Sequence, residues 1–440
     1  MSYLIILTVL FFMFLFFKTN DANVKIYMLL GCLVLFSGGV CFSLHPKIVA
    51  MHIPLYGFLV YALVLKKSGF HEELSAFPLK MGMIFLLMTF LVSGFLGAEG
   101  GVYGMYTAFR FFLDSYGFLL VAFLIGYRCD YDKMTKALYW PIIIFCIFGF
   151  VEAAMKYNYV YAWLMDAFPE YSGILEKGSV DLNYHDSWRI RTSVTTYHPT
   201  TLGALLTMFF IIYLPKIKER TYRIYFLLAV LTVAIYLSGS RSAWVCSAGY
   251  LVYYFVKSQS VLIKMFFIFL IIMCVGYVGN AFIEAFSVEN RGSSLDMRQR
   301  NLLVCIISFA ESPITGHGFN YIGSLVDRRD DGGAVDGAME AVIFNLMVEQ
   351  GLLGLFAYCF FIGLCLWAFF RMKKYNPEVA DVGIGITVMI TMISLMSGTL
   401  GNLHSMSYLF EGMCLGLLCH EKNKEELDAD KEVSPVEVVS

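Results

Sequence analysis

The sequence predicts an all-α protein that crosses a membrane many times. Hydrophobic residues make up 59% of the 440 residues and charged residues only 15%, and the mean hydropathy is +0.69. Soluble domains carry about a quarter charged residues. The apolar residues form long runs separated by polar turns, as spanning helices require. We expect one membrane-embedded domain over 1–420 and a disordered cytoplasmic tail over 421–440, which is polar and charge-rich.

The apolar runs predict twelve or thirteen transmembrane helices, because two of the turns between them are tight. The first run has no basic start and no small-residue cleavage site before Lys18, so we interpret it as a retained span and not a signal peptide. The predicted spans are 2–17, 24–44, 48–65, 81–97, 111–127, 137–156, 200–214, 222–238, 242–256, 261–280, 341–370, 382–400 and 403–419.

Lysine and arginine in the short loops predict the orientation. Loops after odd-numbered spans hold seventeen of these residues, and short loops after even-numbered spans hold three, Lys47, Arg110 and Arg241. Cytoplasmic loops carry the basic excess. The odd loops are therefore predicted to be cytoplasmic, and the two long loops, 157–199 and 281–340, to face outward. Nucleotide-activated donors are absent there, so any chemistry must use a substrate that arrives activated.

The eleven cysteines lie mostly inside apolar runs, and the eight histidines are dispersed. In such runs a thiol behaves as a small hydrophobe. No Cys-x-x-Cys pair occurs, so the sequence predicts neither a disulfide framework nor a structural zinc site.

The second long loop carries a dense set of arginines. Arg298 and Arg300 precede an apolar run, 302–310, that falls far short of the roughly 20 residues needed to span a bilayer. We therefore expect a short interfacial or re-entrant helix within this loop. Guanidinium groups near a membrane face suit a phosphate or pyrophosphate, which they grip in bidentate fashion. Contact with lipid headgroups explains the same arginines, and both interpretations stay open.

Basic residues also flank two other outer connections. Residues 238–244 read SGSRSAW, a connection so short that Arg241 must lie at the edge of the hydrocarbon, where it binds an anion or serves as an interfacial anchor. The small neighbours would let a ligand approach the backbone. The first long loop ends with Arg191 and His198, and Pro199 suits the first turn of a helix.

Four residues are candidates for acid–base roles or for burial. His317 lies between two glycines, in a turn that can present it outward as a general base or hold it as a plain turn residue. Glu340 opens the next span, where the helix macrodipole favours a carboxylate by roughly 0.3 to 1 kcal/mol, and where it can also take a proton from an attacking hydroxyl. Glu349 and Gln350 lie deeper and are predicted to point into the bundle.

Four stretches, taken in order, resemble the O-antigen ligase and O-antigen polymerase superfamily of bacterial cell-surface glycan assembly. They are RIRTSVTTYHPTTLGALL, SGSRSAWV, RNLLVCIISFAESPITGHGFN and NLMVEQGLLGL. The resemblance implies a GT-C-like membrane glycosyltransferase with an outer-face site, a donor glycan on undecaprenyl pyrophosphate, and no metal, nucleotide or other cofactor. By position, it implies that Arg191 and Arg241 hold the pyrophosphate, with Arg298 or Arg300 as a third arginine.

The chain departs from the ligase pattern in one place. Ligases carry a His-Asn pair before the GLLG motif, and the equivalent positions before Gly351 hold Glu340 and Ala341. The departure favours a polymerase, with Glu340 as the predicted base and His317 or His198 as substitutes. A polymerase would pass the growing glycan to the terminal sugar of the next lipid-linked repeat unit.

Two alternatives remain open. A ligase would move the finished glycan to lipid A core or another acceptor. A flippase of the lipid-linked unit should line a central path with charges from several spans, whereas here the arginines cluster at one face. We expect a bacterial inner-membrane protein that meets membrane lipids and lipid-linked oligosaccharide, with a chain-length regulator and a flippase of the same pathway as candidate partners and no nucleic acid.

Overall fold

The structure is a computed structural model. It describes residues 2–35, 41–44, 47–49, 52–64, 70–97, 100–160, 162–163, 192–196, 198–258, 294–322, 341–396 and 403–433. Over these ranges the chain is helical apart from its turns and one antiparallel hairpin, β1 (Cys41–Leu44) with β2 (Lys47–Val49).

The helices are assigned in chain order over the described residues. They are α1 (Ser2–Lys18), α2 (Ala22–Leu35), α3 (Ile53–Val64), α4 (Phe70–Ala76), α5 (Lys80–Leu96), α6 (Gly101–Gly126), α7 (Tyr131–Met155), α8 (Pro199–Tyr213), α9 (Tyr222–Leu237), α10 (Arg241–Ser258), α11 (Ser294–Glu311), α12 (Val342–Met372), α13 (Pro377–Met396) and α14 (Leu403–Val433). A 3-10 turn, Leu214–Glu219, extends α8.

Five of the described helices are long and apolar enough to cross a membrane: α6, α7, α8 with its 3-10 extension, α12 and α13. Other apolar helices, such as α5 and α9, are shorter, and the run 302–310 forms the apolar part of α11. The predicted class, an all-α polytopic membrane protein, is confirmed. The predicted span 261–280 lies outside the described residues.

The hairpin corrects two predicted spans. Segment 24–44 contains α2 up to Leu35 and ends in β1, and segment 48–65 begins in β2 before α3 starts. Proline has no backbone N–H and disfavours helix at the residue before it, so Pro46 opposes a helix through this connection. The apolar residues on either side of Pro46 therefore form the two paired strands and not one continuous helix.

The C-terminal segment is also corrected. Helix α14 continues to Val433, so the prediction of a disordered tail is wrong for 421–433. Asn376 Nδ2 donates to the Glu421 carboxyl group at 3.0 Å, and Lys422 pairs with Glu426 one turn later at 3.6 Å. Such i,i+4 pairs and the strong helix formers of this segment prolong the helix past the apolar bundle.

Helix α8 occupies the centre of the bundle. Thirteen of its 15 residues are buried, and α7, α9, α10, α13 and α14 pack around it. A helix that is apolar on all sides must be enclosed by other helices, which accounts for its position. The start of α8 therefore belongs to a helix that is packed on all sides.

The two ends of the bundle differ in charge chemistry. At one end, the basic residues of the predicted cytoplasmic loops pair with acids: Lys216 Nζ lies 3.3 Å from the Glu378 carboxylate, and Lys257 pairs with Asp381. Arg241 starts the same helix that Lys257 nearly ends, about 24 Å away at 1.5 Å per residue. The candidate segments around Arg241 thus lie at the end opposite the basic loops.

Candidate functional site

A buried carboxyl group near the end of α7 holds the segment before α8. Glu152 is 4% exposed, and its two oxygens accept hydrogen bonds from Ser193 N at 3.0 Å and Val194 N at 2.7 Å. Asn158 Nδ2 donates to the same carboxyl group at 3.2 Å and to Val194 O at 3.0 Å. A buried carboxyl group needs such partners, so Glu152 fixes the backbone of residues 192–196.

The held segment is strained, and it leads directly into α8. Val194 has a φ of 52°, a left-handed conformation that costs a β-branched residue of order 1–3 kcal/mol. The Glu152 hydrogen bonds stabilise that conformation. His198 then caps α8, with Nδ1 accepting from Thr200 N at 3.1 Å, and Pro199 occupies the first helical position. The predicted helix start is confirmed.

The turn between α9 and α10 packs against this segment. Thr192 N donates to Leu237 O at 3.2 Å. A Cβ added to Gly203 would lie 2.6 Å from Ser240 Cβ, so α8 approaches the turn as closely as only glycine permits. The first and second predicted motifs are therefore one site, which we call the Glu152 site: Glu152, Asn158, 192–196, His198 and 238–241.

The Glu152 site suits an anion. Arg241 is the first residue of α10 and is partly buried, and Ser240 Oγ caps the helix by accepting from Ala243 N at 3.4 Å. The amide groups of a helix N-terminus attract negative charge, whereas a basic side chain in the first turn opposes the macrodipole. An anion bound at the start of α10 would be attracted both by the Arg241 side chain and by the helix amide groups.

The third and fourth predicted motifs form a second site, at a break in α12. Gly351 has φ 64° and ψ −155°, and residues 312–318 lie in the gap. On one side of the break, Leu352 N donates to Pro313 O at 2.8 Å; on the other, His317 N donates to Val348 O at 2.9 Å. Irregular backbone at membrane depth is tolerated only where protein groups satisfy it. This segment supplies those groups.

Four glycines make this close packing feasible. A Cβ on Gly316 would lie 2.4 Å from the Glu349 carbonyl carbon, and one on Gly318 would lie 2.3 Å from Gly97 Cα. Gly316, Gly318 and Gly351 all have positive φ. We call Gly97 with 312–318 and 348–353 the Gly351 junction. The nearest atoms in each of these contacts belong to the backbone, so a change of side-chain rotamer could not make room for a larger residue.

Neighbouring side chains tie the Gly351 junction to the end of α5. Ser93 Oγ donates to Glu349 O at 3.0 Å, and Phe319 N donates to Ser93 O at 2.8 Å. Gln350 is 3% exposed, and its Oε1 has no hydrogen-bond partner among the described residues. The prediction that Gln350 points inward is confirmed.

His317 is held more firmly than its glycine-flanked turn predicts. Its Nε2 lies 2.8 Å from Ser308 O, its ring stacks on Tyr321 at 4.3 Å, and the side chain is 18% exposed. A carbonyl only accepts, so Nε2 carries a proton. The turn is present, but the side chain is not presented outward; it links the junction to α11.

A His317→Gln variant separates a structural role from a catalytic one. Glutamine can still donate to Ser308 O, so we expect near wild-type glycan chains and at most a small loss of thermal stability. A base at His317 predicts instead a loss of about a hundredfold or more, because glutamine cannot take a proton. The measurement is glycan chain formation at matched membrane abundance, with His317→Ala as the variant that also removes the donor.

The structure says less about the four other predicted site residues. Arg298 and Arg300 lie within α11, and Arg191 and Glu340 lie outside the described residues. In the sequence, Arg191 directly precedes Thr192 of the Glu152 site, and Glu340 directly precedes Ala341, the buried N-cap of α12. The structure thus brings the first motif together with the second, and the third together with the fourth. The two catalytic candidates, Glu340 and His317, belong in sequence to the third and fourth motifs.

Glu152 is the main residue that motif reading misses as a site residue. Its signal is a lone acid inside an apolar run, which is costly in a membrane and is a functional hypothesis by default. Its partners, Ser193 and Val194, come about forty residues later, and no local pattern announces the pairing. Gly97 is likewise identified only by the contact that it makes with Gly318.

Comparison with known protein families gives a match, and it covers the segment that contains Arg241 and Gly351. A family model described as O-Antigen ligase matches residues 224–359. The match runs from α9 through the Arg241 helix start and the Gly351 junction into α12. No curated protein matches the chain. The matched segment carries paired motifs at one end of an all-α membrane bundle, and over this segment the chain is similar to the O-antigen ligase family.

Proposed function

We propose that the protein is a polymerase of a bacterial surface polysaccharide, such as O-antigen, capsule or exopolysaccharide. A hydroxyl oxygen on the terminal sugar of a lipid-linked repeat unit attacks the anomeric carbon of the growing glycan. The bond from that carbon to undecaprenyl pyrophosphate breaks, and the lipid pyrophosphate leaves with the electron pair. A base takes the hydroxyl proton. The anomeric configuration inverts.

The observation that carries the proposal is the start of α10. Arg241 lies there beside capped backbone amides, within the segment that matches the family. Negative charge grows on the departing pyrophosphate, and preorganised donors aimed at developing charge are a large catalytic term. Arg191, next to the segment held by Glu152, is the proposed second ligand, and Arg298 or Arg300 the third.

We propose Glu340 as the base. The two histidines that could substitute each use one ring nitrogen: His198 Nδ1 accepts from Thr200 N, whereas His317 Nε2 donates to Ser308 O and leaves only Nδ1 as an acceptor. With Nδ1 accepting, neutral His198 carries its proton on Nε2 and has no free acceptor nitrogen. Glu340 adjoins the N-cap of α12, so its carboxylate is also favoured by the helix macrodipole.

We place the reaction at the outer face of the bacterial cytoplasmic membrane. The basic loops gather at the other end of the bundle, where ion pairs such as Lys216–Glu378 lie, and basic loops favour the cytoplasmic side. The donor then arrives already activated on its lipid. A chain-length regulator and a flippase of the same pathway are the proposed partners.

The test is the lipid-linked glycan profile of cells that lack the protein, complemented with wild type, Arg241→Ala or Glu340→Gln. We expect deletion to reduce the glycan ladder to single repeat units and both variants to fail to restore it. A loss of about a hundredfold or more is expected, as for removal of one oxyanion donor. Arg371→Ala, at the other end of α12, is the matched control and should restore the ladder.

Other outcomes identify the alternatives. A ladder that persists on the lipid carrier but never reaches its final acceptor identifies a ligase, the activity for which the matching family is described. Repeat units that accumulate only on the cytoplasmic side identify a flippase. Either result overturns the polymerase proposal and the roles given to Arg241 and Glu340.

A further inference from the structure

An apolar crevice of about 720 Å³ opens between α1, α2, α7 and α8, outside the segment that matches the family. Aliphatic and aromatic side chains line it, among them Leu30, Ile142 and Phe148. Gly31 on α2 widens it, because a Cβ at that position would meet nothing within 4 Å. A crevice of this size and lining suits a hydrocarbon chain.

The crevice runs lengthwise from the basic end of the bundle to the Glu152 site. Tyr27 lines its basic end and donates through its hydroxyl to Lys133 O at 3.3 Å. Its walls follow α7 from Ala137 to Phe148, about 17 Å of helix. Val194 and Thr195 line the opposite end. The crevice is therefore continuous with the proposed pyrophosphate site.

Thr195 adds a polar feature at that end. Its Oγ1 is buried and has no hydrogen-bond partner among the described residues. Buried hydroxyl groups are normally paired, and an unpaired one costs free energy. The adjoining Val194 N is already used by Glu152, so the Thr195 hydroxyl is the polar group available where the crevice meets the Glu152 site.

We infer that this crevice binds the polyprenyl chain of the lipid-linked donor, with the first isoprene units beside Thr195 and the pyrophosphate beyond them. The inference rests on the proposed function. Within a bilayer, apolar surface alone gives no preference for the crevice over lipid, so fit must supply selectivity. A single crevice takes one branched chain, and its continuity with the Glu152 site orients the pyrophosphate towards Arg241.

The test fills the crevice without disturbing the fold. Gly31→Leu places a side chain in open space, and leucine also favours helix over glycine. Gly363→Leu is the matched control, because that glycine on α12 is also free of neighbours within 4 Å and does not line the crevice. The purified full chain is photolabelled with a polyprenyl phosphate that carries a diazirine on its tail.

We expect wild type and Gly363→Leu to be labelled on α2 and α7. The labelling yield of Gly31→Leu at these helices should be about tenfold lower. Excess unlabelled polyprenyl phosphate should compete, and a diacyl phospholipid should not. Equal labelling of Gly31→Leu, or equal competition by phospholipid, overturns the inference. The second result would identify the crevice as an ordinary lipid contact.

Turnover separates this inference from the proposed function. With a polymerase assay, we expect wild type to use a full-length polyprenyl donor better than one with a shortened tail, and Gly31→Leu to use both equally poorly. If Gly31→Leu keeps the wild-type preference, the crevice does not hold the tail. If the wild type turns over neither donor, the proposed function fails, and the photolabelling result still decides whether the crevice binds the chain.

Discussion

A Gly351→Ala variant is expected to lose glycan polymerisation by more than about a hundredfold. The added Cβ would lie 2.5 Å from Ile314 O, and the φ of 64° with ψ of −155° is a conformation essentially restricted to glycine. The conformation alone costs of order 1–3 kcal/mol, and alanine favours a continuous helix. We expect α12 to straighten and expel residues 312–318, which lowers the melting temperature in detergent and collapses the glycan ladder.

The control lies on the same helix. Gly363→Ala adds the same methyl group where nothing lies within 4 Å, so we expect wild-type activity and an unchanged or slightly higher melting temperature. A Gly351→Ala protein that supports a full ladder would show that the break is dispensable. The Gly351 junction would then have no part in the site.

The sequence predicts most helices well because their signals are local. The start of α8 follows from Pro199 after a capping residue, and the turn before α10 follows from a glycine flanked by serines. Long apolar runs locate α6, α7, α12 and α13. These features depend on residues within a few positions of one another, so one sequence is sufficient to find them.

The features that escape prediction depend on distant partners. NLMVEQGLLGL reads as uninterrupted helix, and α12 breaks there because Pro313 and Ile314 supply carbonyl groups from almost forty residues earlier. The apolar run at 24–44 reads as a span, yet its end pairs with Lys47–Val49 as a hairpin. The charged segment after Glu421 reads as disordered, yet it prolongs a helix whose origin lies in the core.

A Glu152→Gln variant is expected to lower kcat/KM of polymerisation by roughly tenfold to a hundredfold, without loss of membrane abundance. The amide nitrogen of glutamine cannot accept, so at least one N–H of Ser193 or Val194 loses its partner. An unsatisfied buried donor costs about 1–3 kcal/mol. Part of that cost is avoided if residues 192–196 leave the strained conformation, which would displace the adjoining Arg191.

The partner residue makes this prediction specific. Asn158→Ala removes donors to the same carboxyl group and to Val194 O, so its effect should not add to that of Glu152→Gln, because both act through one segment. Glu219→Gln changes an exposed carboxylate that pairs with Lys216 at the other end of the bundle, and it should leave activity unchanged. Additive losses from Glu152→Gln and Asn158→Ala would mean that Glu152 acts elsewhere than through residues 192–196.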